Sequence, residues 1–248
     1  MILVEDTRQQ RLKHNLKREY FRSKGIIVRK ETLDCGDYTL VNDRSITVDT
    51  KKDIQELIGD ILVRGIPLKE IEPAVHNIYQ KFDLTGYPEE KMAHLIFDDD
   101  SDRYPEREIL IVCNEYGFSD DAEKEFQKLY VKRRGFFHRG LKRAEYGDVK
   151  LYILVENKEG VRSVQDLFQW RNPRRNIWKN SNEIIGVYKN GRPRYKRVQA
   201  YPNATRGEQL AKACLTMQKK YGVEFQFCSP EEAGERILSL LNVKLEEQ

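Results

Sequence analysis

The segment GDYTLVNDRSITVDTKKD, residues 36–53, limits the fold more than any other stretch of the chain. Read as a β-hairpin closed by the three-residue turn Asn42-Asp43-Arg44, its facing residues have numbers that sum to 86. Tyr38 then meets Val48 and Leu40 meets Ile46 on one face. Asp37 meets Asp49 and Thr39 meets Thr47 on the other, with Lys51 two residues beyond Asp49. A slip of one residue would mix the two sets, so a half-buried hairpin has one usable register. The apolar face requires a packing layer. The polar face sets two carboxylates at facing positions, where like charges are destabilising.

The rest of the chain supplies the layers. ILVED (2–6), IIVRK (26–30), EILIVC (108–113), KLYILVEN (150–157) and EFQFC (224–228) read as strands. Between them, residues 9–24 form a basic helical pattern closed by Gly25. Ile54, Leu57, Ile58, Ile61 and Leu62 form one helical face, and a long helix runs from about 121 to 146. GEQLAKACLTMQKKYG is a further helix, and SPEEAGERILSLL opens with Ser229 as N-cap, Pro230 at the first position and Glu232 at the third. Strands alternating with helices predict an α/β fold, a mixed sheet flanked by helices.

Two segments stand apart from this pattern within a single domain over 1–248. Residues 64–125 read as an acidic insertion: between Asp83 and Glu125 fourteen acidic residues face four basic ones, a net −10 that leaves +14 on the rest of a chain of net +4. A basic body with one acidic segment is a better nucleic-acid candidate than the total implies, and the acidic segment is a candidate competitor for the basic groove. Its DDDSD run (98–102) lacks the glycine and distal glutamate of a calcium loop. Residues 171–204 read as a basic loop region. The four cysteines show no CxxC spacing, which fits a reducing compartment. The start MILVEDTRQQ turns charged after three apolar residues, unlike a signal peptide, and no apolar run is long enough to span a bilayer. A soluble, cytoplasmic protein is the expectation.

Two facing carboxylates, at roughly 4.5–5.5 Å between Cβ atoms, can hold Mg²⁺ or Mn²⁺, whose octahedral shell water and substrate phosphate oxygens complete. Such an ion turns the repulsion into attraction, lowers the pKa of bound water and stabilises charge on a phosphoryl oxygen. Lys51, on the same face, would orient the nucleophile or neutralise the transition state. The alternative is an ordinary exposed hairpin face with both aspartates splayed into water.

The sequence GDYTL…ITVDTKKDIQEL resembles the motif of the XPF-type structure-specific endonucleases, a branch of the PD-(D/E)xK, restriction-endonuclease-like superfamily. VEDTRQQ is similar to the family's first-strand element, and LVEN to the end of a core strand. The final stretch looks like the end of phage and bacterial chains of this type. The resemblance implies a restriction-endonuclease-like fold and a metal-dependent endonuclease acting on branched or structured DNA. It makes Asp37 and Asp49 metal ligands, Lys51 the catalytic lysine, Asp6 a further catalytic candidate and Arg8 a DNA contact. It leaves open a non-catalytic DNA-binding module that keeps the nuclease fold. A homodimer or a DNA-targeting protein partner belongs to the same implication. Three features depart from the family pattern. Asp49 replaces a glutamate, and Thr50, expected to face away from Asp49, replaces an arginine. Gln55 occupies the place of a helix aspartate, with Asp53 and Glu56 nearby. No tandem helix-hairpin-helix segment is recognisable.

From Trp170 to Arg197 there are nine basic residues and one acidic residue. Arg171, Arg174, Arg175, Lys179, Arg192, Arg194, Lys196 and Arg197 are candidate DNA contacts, interleaved with Trp170, Trp178, Tyr188 and Tyr195. Cations for phosphates and aromatics for unpaired bases are what a single-strand or junction binder needs. A solvated loop whose tryptophans pack on the core is the alternative. KRRGFFHRGLKR (132–143) is a second basic stretch placed to flank the same groove.

Overall fold

The computed structural model describes residues 2–9, 15–61, 66–97 and 104–243. Along them run β1 (Ile2–Asp6), α1 (Asn15–Ser23), β2 (Ile27–Glu31), β3 (Tyr38–Leu40), β4 (Ile46–Lys51) and α2 (Ile54–Ile61). A helical stretch follows, α3 (Leu68–Phe82), α4 (Glu89–Phe97), α5 (Pro105–Glu115) and α6 (Asp120–Tyr146). The chain ends with β5 (Lys150–Glu156), β6 (Trp178–Val187), β7 (Pro193–Gln199), α7 (Gly207–Tyr221), β8 (Glu224–Cys228) and α8 (Ala233–Leu240). The start of the expected first helix, Leu62 and the DDDSD run lie outside the described residues.

β3 and β4 pair with Tyr38 opposite Val48, the register that the alternation requires. They occupy the middle of a six-stranded sheet of order β2-β1-β3-β4-β5-β8. β1/β2, β4/β5 and β5/β8 are parallel; β1/β3 and β3/β4 are antiparallel. The result is the mixed sheet flanked by helices expected of a restriction-endonuclease-like fold. α1 and α8 cover one face, where Phe21, Tyr38, Val48, Leu154 and Ile237 form a core. α2, the second half of α6, and α7 cover the other, around Leu57, Leu141, Ile153, Leu210 and Phe225. β5 feeds both cores, with Leu151, Ile153 and Val155 to one side and Leu154 to the other, as a strand buried on both faces must. Each such buried side chain contributes roughly 1.5–3 kcal/mol, so a one-residue slip of the hairpin would forfeit several kcal/mol.

The helical stretch α3–α5 and the first half of α6 enclose a third core of their own, including Ile71, Val75, Met92, Ile96, Ile109 and Phe126. α6 starts at Ser119, whose hydroxyl accepts from Ala122 N at 3.3 Å, with Asp120, Asp121 and Glu123 in the first turn. That is a capped N-terminus with acids on the positive end of the dipole.

The run EILIVC, expected as a strand, belongs to helix α5. Ile109, Val112 and Cys113 are buried while Leu110 and Ile111 are exposed; this i, i+3, i+4 spacing is a helical face, and Pro105 at the first position sets the start. A dense apolar run hid the period. The region 171–204, expected as a loop, contains the two-stranded antiparallel sheet β6–β7, turned at Asn190-Gly191 with Gly191 at φ 79°. Asn-Gly is a hairpin signal; irregularities in β6 broke the alternation that would have exposed the strands. At α8 half of the expected box is present, since Glu232 Oε2 accepts from Ser229 N at 2.9 Å, but the regular helix begins only at Ala233.

Candidate active site

The polar side of the hairpin opens into a cleft of about 290 Å³ between the sheet, α2 and α6. Asp6, Arg8, Asp37, Asp49 and Lys51 all line it, so every cleft residue expected from the sequence converges there. Its far wall is Phe137, Gly140, Leu141 and Arg143 of α6, from the second basic stretch.

Gly36 delivers Asp37. It sits at φ +71°, and a Cβ there would lie 2.9 Å from Thr47 Cβ, so any other residue would be strained and would clash. Asp37 lies just ahead of β3, where its N–H donates to Val48 O at 2.8 Å and its carbonyl accepts from Asp6 N at 2.8 Å. Asp37 Oδ2 accepts from Thr50 N (2.7 Å) and Thr50 Oγ1 (2.6 Å). Thr50, expected to face away from Asp49, therefore fixes the other carboxylate, Asp37.

Burial, and then the charge of Asp49, push the Asp37 carboxyl up to about 7, against the opposing pull of Thr50 and Lys51. Burial also raises Asp49, with Lys51 opposing it and Asp60 and Glu56 adding to it. Lys51 Nζ lies 2.7 Å from Asp49 Oδ2, 2.8 Å from Asp60 Oδ2 and 4.8 Å from the centre of the Phe137 ring. Burial pulls its pKa down, but the two carboxylates outweigh that and raise it, so the ammonium stays charged. Asp60 escaped the sequence reading. A signal existed: Asp53, Glu56 and Asp60 are spaced by three and four, along one flank of α2.

The two acids considered as stand-ins at the start of that helix have other work. Asp53 Oδ1 accepts from Glu56 N at 2.7 Å, capping α2, and Glu56 Oε2 accepts from Lys52 N at 2.7 Å while Glu56 also lines the cleft. Asp6 is likewise occupied. Its Oδ1 takes Arg8 N and Nε (2.7 and 2.8 Å), and its Oδ2 takes an Arg8 terminal nitrogen (2.6 Å) and Leu33 N (2.9 Å). Burial opposes ionisation of Asp6, but these donors outweigh it and lower its pKa. Its place in the cleft is to hold Arg8. Glu156 pairs with buried Lys17 of α1 instead of entering the cleft.

None of the basic-segment residues lines the cleft. The segment is joined to it at the root, where Gln55 Nε2 of α2 donates to Asn172 Oδ1 at 3.0 Å. Arg171, Arg174, Lys179, Arg192, Arg194, Lys196 and Arg197 are exposed, and Arg175 is half-buried with its guanidinium donating to Ala204 O at 3.0 Å. The tryptophans divide: Trp170 is a core residue, and Trp178 is 53% exposed. All four cysteines are buried, and none is in a disulfide.

Among the described residues no group of three or more His, Cys, Asp or Glu is arranged to hold a metal ion. The cleft offers two carboxylates. Asp49 Oδ2 is buried with Lys51 Nζ 2.7 Å away, and the two carboxylates offer hard oxygens, a set that fits a cation completing its shell with water and phosphate. No described helix is long and apolar enough to cross a membrane.

Fold and cleft together define an α/β protein with a lysine-centred, carboxylate-lined cleft at the end of a central hairpin. No protein-family model matches the chain, and no curated protein matches it. Two matching solved structures are XPF from Aeropyrum pernix and XPF from Aeropyrum pernix in complex with DNA, at 15% and 14% identity and a TM-score of 0.39 each. The matches cover 98% and 97% of this chain and 64% and 63% of theirs, so the chain spans just under two thirds of their length.

Proposed function

We propose that the chain is a metal-dependent DNA endonuclease that hydrolyses phosphodiester bonds in this cleft. One observation carries the reading: Asp37, Asp49 and Lys51 meet in a single cleft that also presents Arg8 and Arg143. Asp37 and Asp49 would hold Mg²⁺ or Mn²⁺, which when bound supplies Lewis-acid activation of water and charge stabilisation at the phosphoryl oxygen. Lys51 contributes a fixed positive charge beside the reacting phosphate, worth most where water is excluded. Asp60 and the Phe137 ring hold that charge in place. Arg8, clamped by Asp6, and Arg143 position the phosphate through guanidinium donors. The basic residues from Arg171 to Arg197 extend the contact along the DNA.

A second reading, a DNA-binding module without catalysis, draws on one observation. Lys51 is already matched by Asp49 and Asp60, so part of the cleft is electrostatically satisfied as it stands. Incubation with flap, fork, junction, single-stranded and duplex DNA in Mg²⁺, Mn²⁺ or EDTA separates the two. Metal-dependent cleavage is expected; cleavage that persists in EDTA would rule out the metal mechanism, and binding without cleavage in either metal would select the second reading.

A further inference from the structure

The β6–β7 ribbon has no buried residue along either strand, and its register sorts its side chains. β7 alternates without interruption, and the irregularities are confined to β6. Trp178 pairs with Gln199, Asn180 with Arg197, Ile184 with Tyr195 and Val187 with Pro193. Directly paired residues project to the same face, so Trp178, Ile184, Val187, Pro193 and Tyr195 share one side with Arg197. Lys179, Arg194 and Lys196 occupy the other. The apolar side is uncovered: Trp178 is 53% exposed, Ile184 58%, Val187 67% and Tyr195 38%.

Large exposed aromatic and aliphatic side chains gathered on one face, with the Asn180–Arg197 pair between Trp178 and Ile184, mark an interaction site. Charge decides what occupies it. Nine cations against one acid from Trp170 to Arg197 disfavour a second copy of the same ribbon, which would oppose like charges, and favour a polyanion. An intact duplex presents phosphates outward and hides its base planes. An unpaired strand offers both, base faces for Trp178 and Tyr195 and phosphates for Arg197 and the arginines at the root.

We infer that the ribbon is a binding surface for an unpaired DNA strand, with bases stacked on its Trp178–Tyr195 face. The inference rests on the reading of DNA as the ligand, and it adds a second site outside the cleft. The root fixes the ribbon relative to that cleft. Ala200 N donates to Ile177 O at 2.8 Å, Asn172 Nδ2 donates to Thr205 O at 3.0 Å, and Asn172 accepts from Gln55, four residues after Lys51. A strand held on the ribbon is thereby tethered beside the helix that follows the catalytic lysine.

The test is equilibrium binding of the full chain, in EDTA, to a labelled oligothymidylate and to a duplex of equal length. Combined Trp178→Ala and Tyr195→Ala substitution should weaken oligothymidylate binding by roughly fivefold or more per lost stack, and duplex binding much less. Trp178→Phe and Tyr195→Phe should keep most of the affinity. Since Trp170 is buried, oligothymidylate should quench the fluorescence of Trp178, a signal absent from Trp178→Phe. Equal loss on both ligands, or no loss, would overturn the inference. So would sedimentation showing a wild-type dimer that the alanine variant disperses, because the occupant would then be a second copy of the chain. Cleavage assays keep the two readings apart. Selective loss of oligothymidylate binding in a protein that cuts nothing sinks the nuclease and leaves the ribbon; unchanged binding in a protein that cuts with Mg²⁺ does the reverse.

Discussion

The charge on Asp37 should be measurable without any substrate. Burial and the charge of Asp49 raise its carboxyl from 3.8 to about 7, the hydrogen bonds from Thr50 notwithstanding. A carboxyl with a higher pKa in the folded than in the unfolded state keeps more protons when folded. Its contribution to stability is complete below the unfolded value and is lost as pH rises through about 7. A rise from 3.8 to about 7 corresponds to about 4 kcal/mol, at roughly 1.4 kcal/mol per pH unit. Asp49 shares the titration, so a variant at Asp37 alone should recover between ~1 and ~4 kcal/mol. Asp37→Asn is the suitable change because the amide oxygen still accepts from Thr50 N and Oγ1.

Urea denaturation in EDTA reads this directly. Near pH 8 the Asn variant should be more stable than wild type by that amount, and near pH 4 the difference should approach zero. Mg²⁺ should reverse the order near pH 8, because wild type gains RT ln(1 + [L]/Kd) and the variant gains little. A stability difference that is the same at both pH values would mean Asp37 carries no such strained charge. The case for a carboxylate pair awaiting a cation would then fail.

Lys51→Ala should retain the Mg²⁺-induced stabilisation while turnover falls by roughly 100-fold or more, the scale seen on removing a charge-stabilising donor; cleavage near the wild-type rate would remove Lys51 from the chemistry. Asp60→Asn should cost less, roughly 10-fold in turnover, because Asp49 still holds the ammonium; single-turnover kinetics with unchanged DNA affinity would assign it to positioning. Glu106→Gln should tighten DNA binding at low salt by roughly 2- to 5-fold, since it removes a negative charge held against Arg143. Affinity that stays the same at every salt concentration would show that Arg143 does not meet phosphate.

What was readable in the chain tracks how local its cause is. The hairpin register follows from alternation alone, and Tyr38 opposite Val48 is its direct consequence. The ends of the expected long helix hold to within a residue, at Asp120 and Tyr146, but Gly135 divides it in the middle. The run EILIVC misled because five apolar residues in succession satisfy both periods. At the site, the convergence of Asp6, Asp37, Asp49 and Lys51 was legible from motif order and strand alternation. The hold of Thr50 on Asp37 was not, because it depends on the backbone geometry in which Asp37 N donates to Val48 O and its carboxylate reaches Thr50. Asp60 was marked only by its spacing from Asp53 and Glu56 along one flank of α2; that this flank meets Lys51 depends on how the helix packs on the sheet. The ribbon was obscured by its own irregularities, although Asn190-Gly191 marked its turn.

The helical stretch and the cleft are joined through one helix, which bears on how acidic residues influence a basic groove. The first half of α6 packs Phe126 and Tyr130 into the helical core, and the second half packs Phe137 and Leu141 beneath the sheet. Gly135, at φ 68° and ψ 164°, breaks the helix between them, a conformation that a side chain would strain. Across this break, Glu106 of α5 takes Arg139 at 2.5 Å and Arg143 at 3.0 Å, and Tyr104 stacks on Tyr146 with ring centres 4.9 Å apart. Burial works against the Glu106 charge, but the donors from Arg143 and Tyr104 outweigh it and lower its pKa. Arg143 therefore faces the cleft with its direction fixed and part of its charge already answered. An acidic segment tied to the groove in this way sets the geometry of a phosphate contact at the expense of its strength. For an enzyme that is the favourable exchange: orientation acts on the transition state, whereas added ground-state affinity for DNA would not raise the rate of the chemical step.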